Sequence, residues 1–221
     1  MNLMKFSELD MSKMFRWLVT AAPALLLAGA AQAGNYVLEI GGRTVELDLD
    51  TPASVSLDGG KPVAVMLRQK TEQVWRSDDL SFSYPTAVRP TRHVINADAV
   101  QIMLPTASGT VIIIQRYSRS DPALIIDQMV ATLTDDHVRA GYRRTSRPAT
   151  RALAGGLTLT GQQVHTERAD DQSNLEIVTL RAQGGGGYLI ATVTDPEAPP
   201  ADARMVEQFW RTLRLNTAPS H

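Results

Sequence analysis

Val111-Ile-Ile-Ile-Gln-Arg-Tyr-Ser-Arg-Ser-Asp-Pro-Ala-Leu-Ile-Ile-Asp-Gln-Met-Val-Ala-Thr-Leu133 is the stretch on which the fold turns. Its opening, Val111-Ile-Ile-Ile114, is an unbroken β-branched run, the pattern of a central strand buried on both faces. Ser120-Asp121-Pro122 then reads as a helix start. A side-chain oxygen caps free N–H groups, and proline has no N–H to leave unpaired at the first position. Ile125, Met129 and Leu133 recur at i, i+4 and i+8 with Ile126 and Val130 beside them, one apolar stripe of an amphipathic helix over 122–139. Gly141 can end it. A buried strand followed by a one-faced helix needs a sheet for the helix to lie on.

The flanking sequence supplies that sheet. After the helix, 157–167, 174–183 and 188–193 read as three strands, with turns at Ala169-Asp-Asp-Gln172 and Gly184-Gly-Gly-Gly187. Asp195 to Pro200 is a proline-rich connector. Val206, Phe209, Trp210 and Leu213 then share a helix face at spacings of three and four. Before the central strand, Leu80-Ser-Phe-Ser-Tyr-Pro85 is a short strand stopped by proline, and 100–104 is another. Further back, two alternating runs flank Gly41-Gly42, a strong hairpin signal because tight hairpin turns need positive φ. Val55 and Leu57, a turn at Asp58-Gly59-Gly60, and 63–67 continue in strand fashion, and the polar stretch 69–79 reads as a connector. Strands, helix, strands, helix, without regular βα alternation, predict an α+β fold with a mostly antiparallel sheet flanked by helices. Both helices should pack on it through Ile125, Met129, Leu133, Val206, Phe209 and Trp210.

The N-terminus carries an address. Lys13 and Arg16 precede the apolar run 17–30, which ends in Ala31-Gln32-Ala33. A basic segment, a short apolar segment and small residues at −3 and −1 predict a signal peptide over 1–33, cleaved between Ala33 and Gly34. The run is shorter than the roughly 20 apolar residues of a spanning helix and contains Pro23, so no stable membrane anchor is expected after cleavage. Glu8 and Asp10 are foreign to a basic leader segment, which could equally begin at Met11 or Met14. The chain has no cysteine. That excludes a lipidated N-terminal cysteine, disulfides and thiolate metal sites. A periplasmic or secreted protein is the expectation.

The whole chain has 22 basic and 23 acidic residues; the leader removes three and two, leaving a net charge near −2. Nucleic acid is not the expected partner.

From Leu80 onward the chain resembles the PsbP-like family, which includes DcrB-type bacterial proteins and a nuclear-import factor that binds the GTPase Ran. The resemblance rests on Leu80-Ser-Phe-Ser-Tyr-Pro85, on a strand followed by Ser120-Asp-Pro-Ala-Leu-Ile-Ile-Asp-Gln-Met129, on the three-stranded meander, and on Phe209-Trp-Arg-Thr-Leu-Arg-Leu215. It implies an α/β/α sandwich over 80–215 and a non-enzymatic accessory, assembly or partner-binding role. Residues 34–79 lie outside it as an added β-hairpin region, and 216–221 as a disordered tail. The metal sites of some plant members have no identifiable counterpart here.

Chemistry is sparsely signposted. His93, His137, His165 and His221 fall in no metal-ligand spacing, so no metal and no cofactor are expected. Asp135-Asp136-His137 places carboxylates beside an imidazole, but adjacent helical residues do not face each other, and a cation near a helix C-terminus is favoured anyway. Gly184–Gly187 lacks the Lys-Ser/Thr and the helix of a phosphate loop, and Pro62 disqualifies Gly59-Gly60-Lys61. No Gly-x-Ser-x-Gly elbow exists. No catalytic residue is therefore expected. One cluster stands out: Arg139, Arg143, Arg144, Arg147 and Arg151, with no lysine or acidic residue among them. Arginine's planar fork suits carboxylate or phosphate recognition. Such a run is usually a solvated segment after a helix, but it is the best candidate for a partner-contact surface. The function expected is a secreted, non-catalytic partner-binding accessory protein whose partner is another envelope protein or an anionic surface. The alternative is a periplasmic carrier of a small amphiphilic ligand. The oligomeric state is not encoded legibly.

Overall fold

The computed structural model describes residues 36–56 and 60–216. The expected signal peptide 1–33, its expected cleavage site Ala33/Gly34, Leu57, the expected turn residues Asp58 and Gly59, and the expected tail from 217, His221 included, lie outside the described residues. The chain divides into two compact units between Lys70 and Thr71. That is earlier than the boundary read from sequence at 79/80.

In the first unit, β1 (Tyr36–Ile40) pairs with β2 (Arg43–Leu47) in antiparallel register. Gly41 and Gly42 have φ of 58° and 76°, as a primed hairpin turn requires. β3 (Pro52–Val55) pairs with β4 (Val63–Met66), and Leu49 bridges to Leu67. Among its described residues, Leu47 and Val55 are the buried apolar ones.

The second unit is an α+β domain. Its strands are β5 (Glu72–Arg76), β6 (Leu80–Pro85), β7 (Thr91–Val94), β8 (Ala99–Pro105) and β9 (Val111–Tyr117). A 3-10 turn (Pro122–Ile125) leads into α1 (Ile126–Arg139). Then come β10 (Arg143–Ala152), β11 (Thr158–Arg168), β12 (Asp171–Arg181), β13 (Gly187–Thr194), α2 (Pro200–Thr212) and β14 (Arg214–Leu215). Seven strands form one antiparallel sheet in the order β10-β11-β12-β13-β9-β8-β7; β14-β6-β5 form a small second sheet.

The alternation of side chains makes the two faces legible. Ile112 and Ile114 of β9 share a face with Ile190, Val178, Leu159, Ile102 and Leu104 across the register. Leu80, Phe82 and Tyr84 of β6, Met205, Phe209 and Trp210 of α2, and Leu213 just beyond the helix end close over them into one core. Burial of each large apolar side chain there is worth about 1.5–3 kcal/mol. Phe82 meets Phe209 edge-on at 5.3 Å and stacks on Trp75 at 6.1 Å. The opposite face carries α1, which buries Met129 and Val130; the central strand β9 is thereby buried on both sides, as its β-branched run predicts. Of the six residues expected to anchor the helices, Met129, Phe209 and Trp210 are buried, while Ile125, Leu133 and Val206 are half-buried.

The 3-10 turn before α1 is capped by a side chain and α1 is closed by main-chain bonds, whereas neither α-helix has a side-chain cap at its own N-terminus. Asp121 Oδ1 accepts from Ala123 N–H at 3.0 Å, but the first turn is 3-10 and the α-helix begins only at Ile126. At the other end Gly141 N–H bonds the Val138 carbonyl and Tyr142 N–H that of His137, both at 3.0 Å, a Schellman closure. Tyr142 also stacks on His137 at 4.8 Å.

Three segments correct the sequence reading. The polar stretch 69–79 contains β5, whose Trp75 is drawn into the core by its cross-strand partner Phe82. β7 is a short, wholly exposed edge strand without a hydrophobic pattern. The arginine-rich segment after α1 is no solvated loop: it is the ten-residue strand β10 at the other edge of the main sheet.

Candidate functional site

β10 lies antiparallel to β11 over its full length, from Arg143 opposite Glu167 to Ala152 opposite Thr158. Leu153 N–H donates to the Leu157 carbonyl at 2.8 Å just past the strand end, continuing the same register. In an antiparallel ladder hydrogen-bonded pairs alternate with non-bonded ones. The odd-numbered residues of β10 therefore bond inward to β11, and the even-numbered ones direct their main-chain groups to the open edge. Pro148 is even-numbered, so its missing N–H interrupts the outer edge and leaves the ladder intact, the usual placement of proline in a sheet.

The strand period separates the arginines. Arg143, Arg147 and Arg151 share the face that α2 covers at one end, at intervals of about 14 Å (four residues at ~3.4 Å each). Arg143 Nε donates to Glu167 Oε1 at 2.8 Å. Arg147 donates from Nε and Nη2 to the amide oxygen of Gln163 at 3.0 and 2.7 Å. Arg151 Nε donates to Glu176 Oε1 at 3.1 Å, and its guanidinium lies 4.8 Å over the Trp210 ring. Arg144 points to the opposite face, where Nη1 bonds Thr134 Oγ1 at 2.9 Å and Asp135 Oδ1 at 3.0 Å, pinning α1 to the sheet edge. Arg139 pairs with Asp136 on α1 itself. The five arginines therefore form no single patch: three make a row, one ties helix to strand, one stays on the helix.

The row stands in a polar field. Hydrogen bonding from Arg143, and secondarily from His165, holds the Glu167 carboxyl below its ordinary pKa. His165 bridges Asn174 Oδ1 at 2.9 Å and Glu167 Oε2 at 3.3 Å, sharing the face of Gln163 as alternation requires. Along the strip, three arginines face two glutamates and one glutamine.

Beyond Arg151 the row runs into an open cleft of about 710 Å³. Arg151, Val206, Trp210 and Arg211 are among its walls, with Thr110 just before β9 and Asp202 at the start of α2. Asp202 is buried, and its Oδ2 accepts from Ser108 Oγ at 2.6 Å and Thr106 Oγ1 at 2.7 Å. Burial opposes the charge; the hydroxyls of Ser108 and Thr106 outweigh it and keep this carboxyl below the ordinary aspartate value. The indole N–H of Trp210 is buried without a partner.

The other candidates take structural positions. His137 Nδ1 meets Thr166 Oγ1 at 3.1 Å, but Thr166 is 2% exposed, and the neighbouring carboxylates are engaged by Arg144 and Arg139. An acid/base pair within Asp135-Asp136-His137 is not formed. His93 lies exposed on β7. Among the described residues no group of three or more His, Asp or Glu side chains could hold a metal, and no helix is long and apolar enough to cross a membrane.

Sequence reasoning singled out the arginines but assigned no strand to those after the helix, and it read Trp210 as core only. The stacking of Arg151 on Trp210 has no local signal, since it joins a strand to a helix far along the chain. Neither protein-family models nor curated protein sequences match this chain.

Proposed function

We propose that this chain is a non-catalytic, partner-binding accessory protein of the bacterial envelope, exported on residues 1–33 and PsbP-like in character, and that it engages an acidic protein through the row Arg143, Arg147 and Arg151. The observation that carries the reading is Arg147. Its guanidinium is exposed and satisfied by an amide, so its charge is not cancelled by a carboxylate. Arginines displayed in this way favour encounter with negative surfaces, and salt screens that attraction over about 10 Å at 0.1 M.

The test is capture from the native envelope with wild type and with Arg143→Ser/Arg147→Ser, at low and moderate salt. Arg151 is spared because it packs on Trp210. The expected result is an acidic protein that the double variant loses and that salt weakens, bound to a chain whose intact mass begins at Gly34. Retention of the same partner with the same salt dependence refutes the reading. Loss of binding to anionic vesicles instead would assign the row to a membrane surface.

The cleft favours a second reading, a carrier of a small amphiphilic ligand. Its volume lies in the ~300–1,000 Å³ range of ligand sites, and it combines an apolar wall with a few polar groups. Saturable binding of dodecanoate, lost on Val206→Asp, would support the carrier.

A further inference from the structure

We infer that the outer edge of β10 accepts an extended acidic segment of a partner protein as an added strand. This inference rests on the partner-binding reading above and specifies how the partner is held.

β10 is long for an edge strand, ten residues, and it is the terminal strand of its sheet. Its residues from Arg143 to Pro148 are all exposed. By the register argument, the groups facing outward are the N–H and C=O of Arg144, Ser146, Thr150 and Ala152, with the C=O of Pro148 between them. Such an edge is a template for another chain. Pro148 removes one donor at its centre, so an incoming strand gains its full complement of bonds only on either side of that position.

The side chains decide which chain can come. An added strand places every second residue on the face of Arg143, Arg147 and Arg151, with Cβ atoms about 5 Å from their cross-strand neighbours. Carboxylates at those alternate positions meet the guanidinium row, Arg147 foremost because it holds only an amide. A second copy of this chain would set arginine row beside arginine row, and like charges across a strand pair destabilise it. The arginines that keep the edge from pairing with itself therefore select an acidic occupant. Strand addition takes its affinity from main-chain bonds and its specificity from alternate side chains.

The probe is a blocked ten-residue peptide of alternating Glu and Thr, compared with the Lys/Thr peptide and with two N-methylated forms of the Glu/Thr peptide. One form is methylated at the Glu residues, the other at the Thr residues. The full chain is used throughout. The expected result is binding of the Glu/Thr peptide but not the Lys/Thr peptide, and slowed hydrogen exchange at the amides of Ser146 and Thr150. One N-methylated form should bind at least tenfold more weakly, while the other, methylated on the outer side, keeps its affinity. Equal affinity of both N-methylated forms, or binding without protection at Ser146 and Thr150, overturns strand addition and leaves docking on the arginine face standing. Absence of binding by the Glu/Thr peptide also overturns it; capture of an acidic protein that depends on Arg143 and Arg147 would then stand independently.

Discussion

Truncating Trp210 tests the core and the cleft together. The side chain is 6% exposed, meets Phe209 edge-on at 5.1 Å and lies under Arg151 at 4.8 Å. Removing a buried large aromatic costs about 3–5 kcal/mol, and the cation–π contact contributes within that figure. Against this, the buried indole N–H has no partner, and relief of an unsatisfied donor returns about 1–3 kcal/mol. With the middle of each range, the expected net loss for Trp210→Ala is about 2 kcal/mol. Trp210→Phe keeps a ring in place and removes the orphan donor, so its cavity cost and the relief nearly cancel, leaving a change within about 1 kcal/mol. Urea unfolding followed by far-UV circular dichroism measures both, with Trp75 as an independent fluorescent probe. With a slope of about 2 kcal/mol per molar, Trp210→Ala should lower the midpoint by about 1 M. An unchanged midpoint refutes burial. Equal destabilisation by Trp210→Phe and Trp210→Ala would mean that the N–H is partnered after all.

Two further perturbations have outcomes set by geometry. A Cβ on Gly186 would sit 2.2 Å from the Tyr117 carbonyl oxygen, whereas one on Gly156, also at positive φ, would meet nothing within 4 Å. Gly156→Ala should thus cost about 1–2 kcal/mol of backbone strain, and Gly186→Ala at least about 3 kcal/mol; equal losses in thermal melts would contradict the close approach. Asp202 has its folded pKa held down, so between that value and the unfolded aspartate value near ~3.9 the unfolded chain binds the extra proton and stability rises with pH. The contribution is complete above the unfolded value and lost as pH falls through the folded one. Asp202→Asn should flatten the acid limb of the stability profile, with a remainder from Asp98 and the exposed Glu167, whose pKa values are also lowered; an unaltered limb sinks the assignment.

The sequence was legible where burial imposes a period. β9 announced itself because both faces need β-branched apolar residues, and α1 because one face does. The Gly-Gly hairpin was legible because its turn has a steric requirement. β10 was not, because an edge strand whose faces are largely solvated needs only main-chain bonds on one side, and no apolar alternation follows from that. Once it is known to be a strand, the parity of 143, 147 and 151 against 144 separates the row from the helix tie by arithmetic. β5 was hidden for a different reason: its single core residue, Trp75, sits among polar neighbours, and only pairing with Phe82 fixes its direction. The cleft had no sequence signal, since its walls come from β10, the approach to α2 and α2 itself.

Arg151 shows why the candidate surface divides unequally. Its guanidinium is held by Glu176 and by the face of Trp210, and its side chain is 37% exposed against 74% for Arg143. A cation fixed between a carboxylate and an aromatic ring has few free directions left for a partner, and removing it exposes part of the core. Arg143 and Arg147 rest on polar strand neighbours and can be removed without opening a cavity. A binding defect in an Arg151 variant would therefore mix lost recognition with a loosened α2, while one in an Arg143/Arg147 variant reports recognition alone. For that reason the row must be dissected from its outer end inward, with the melting temperature of each variant as the control.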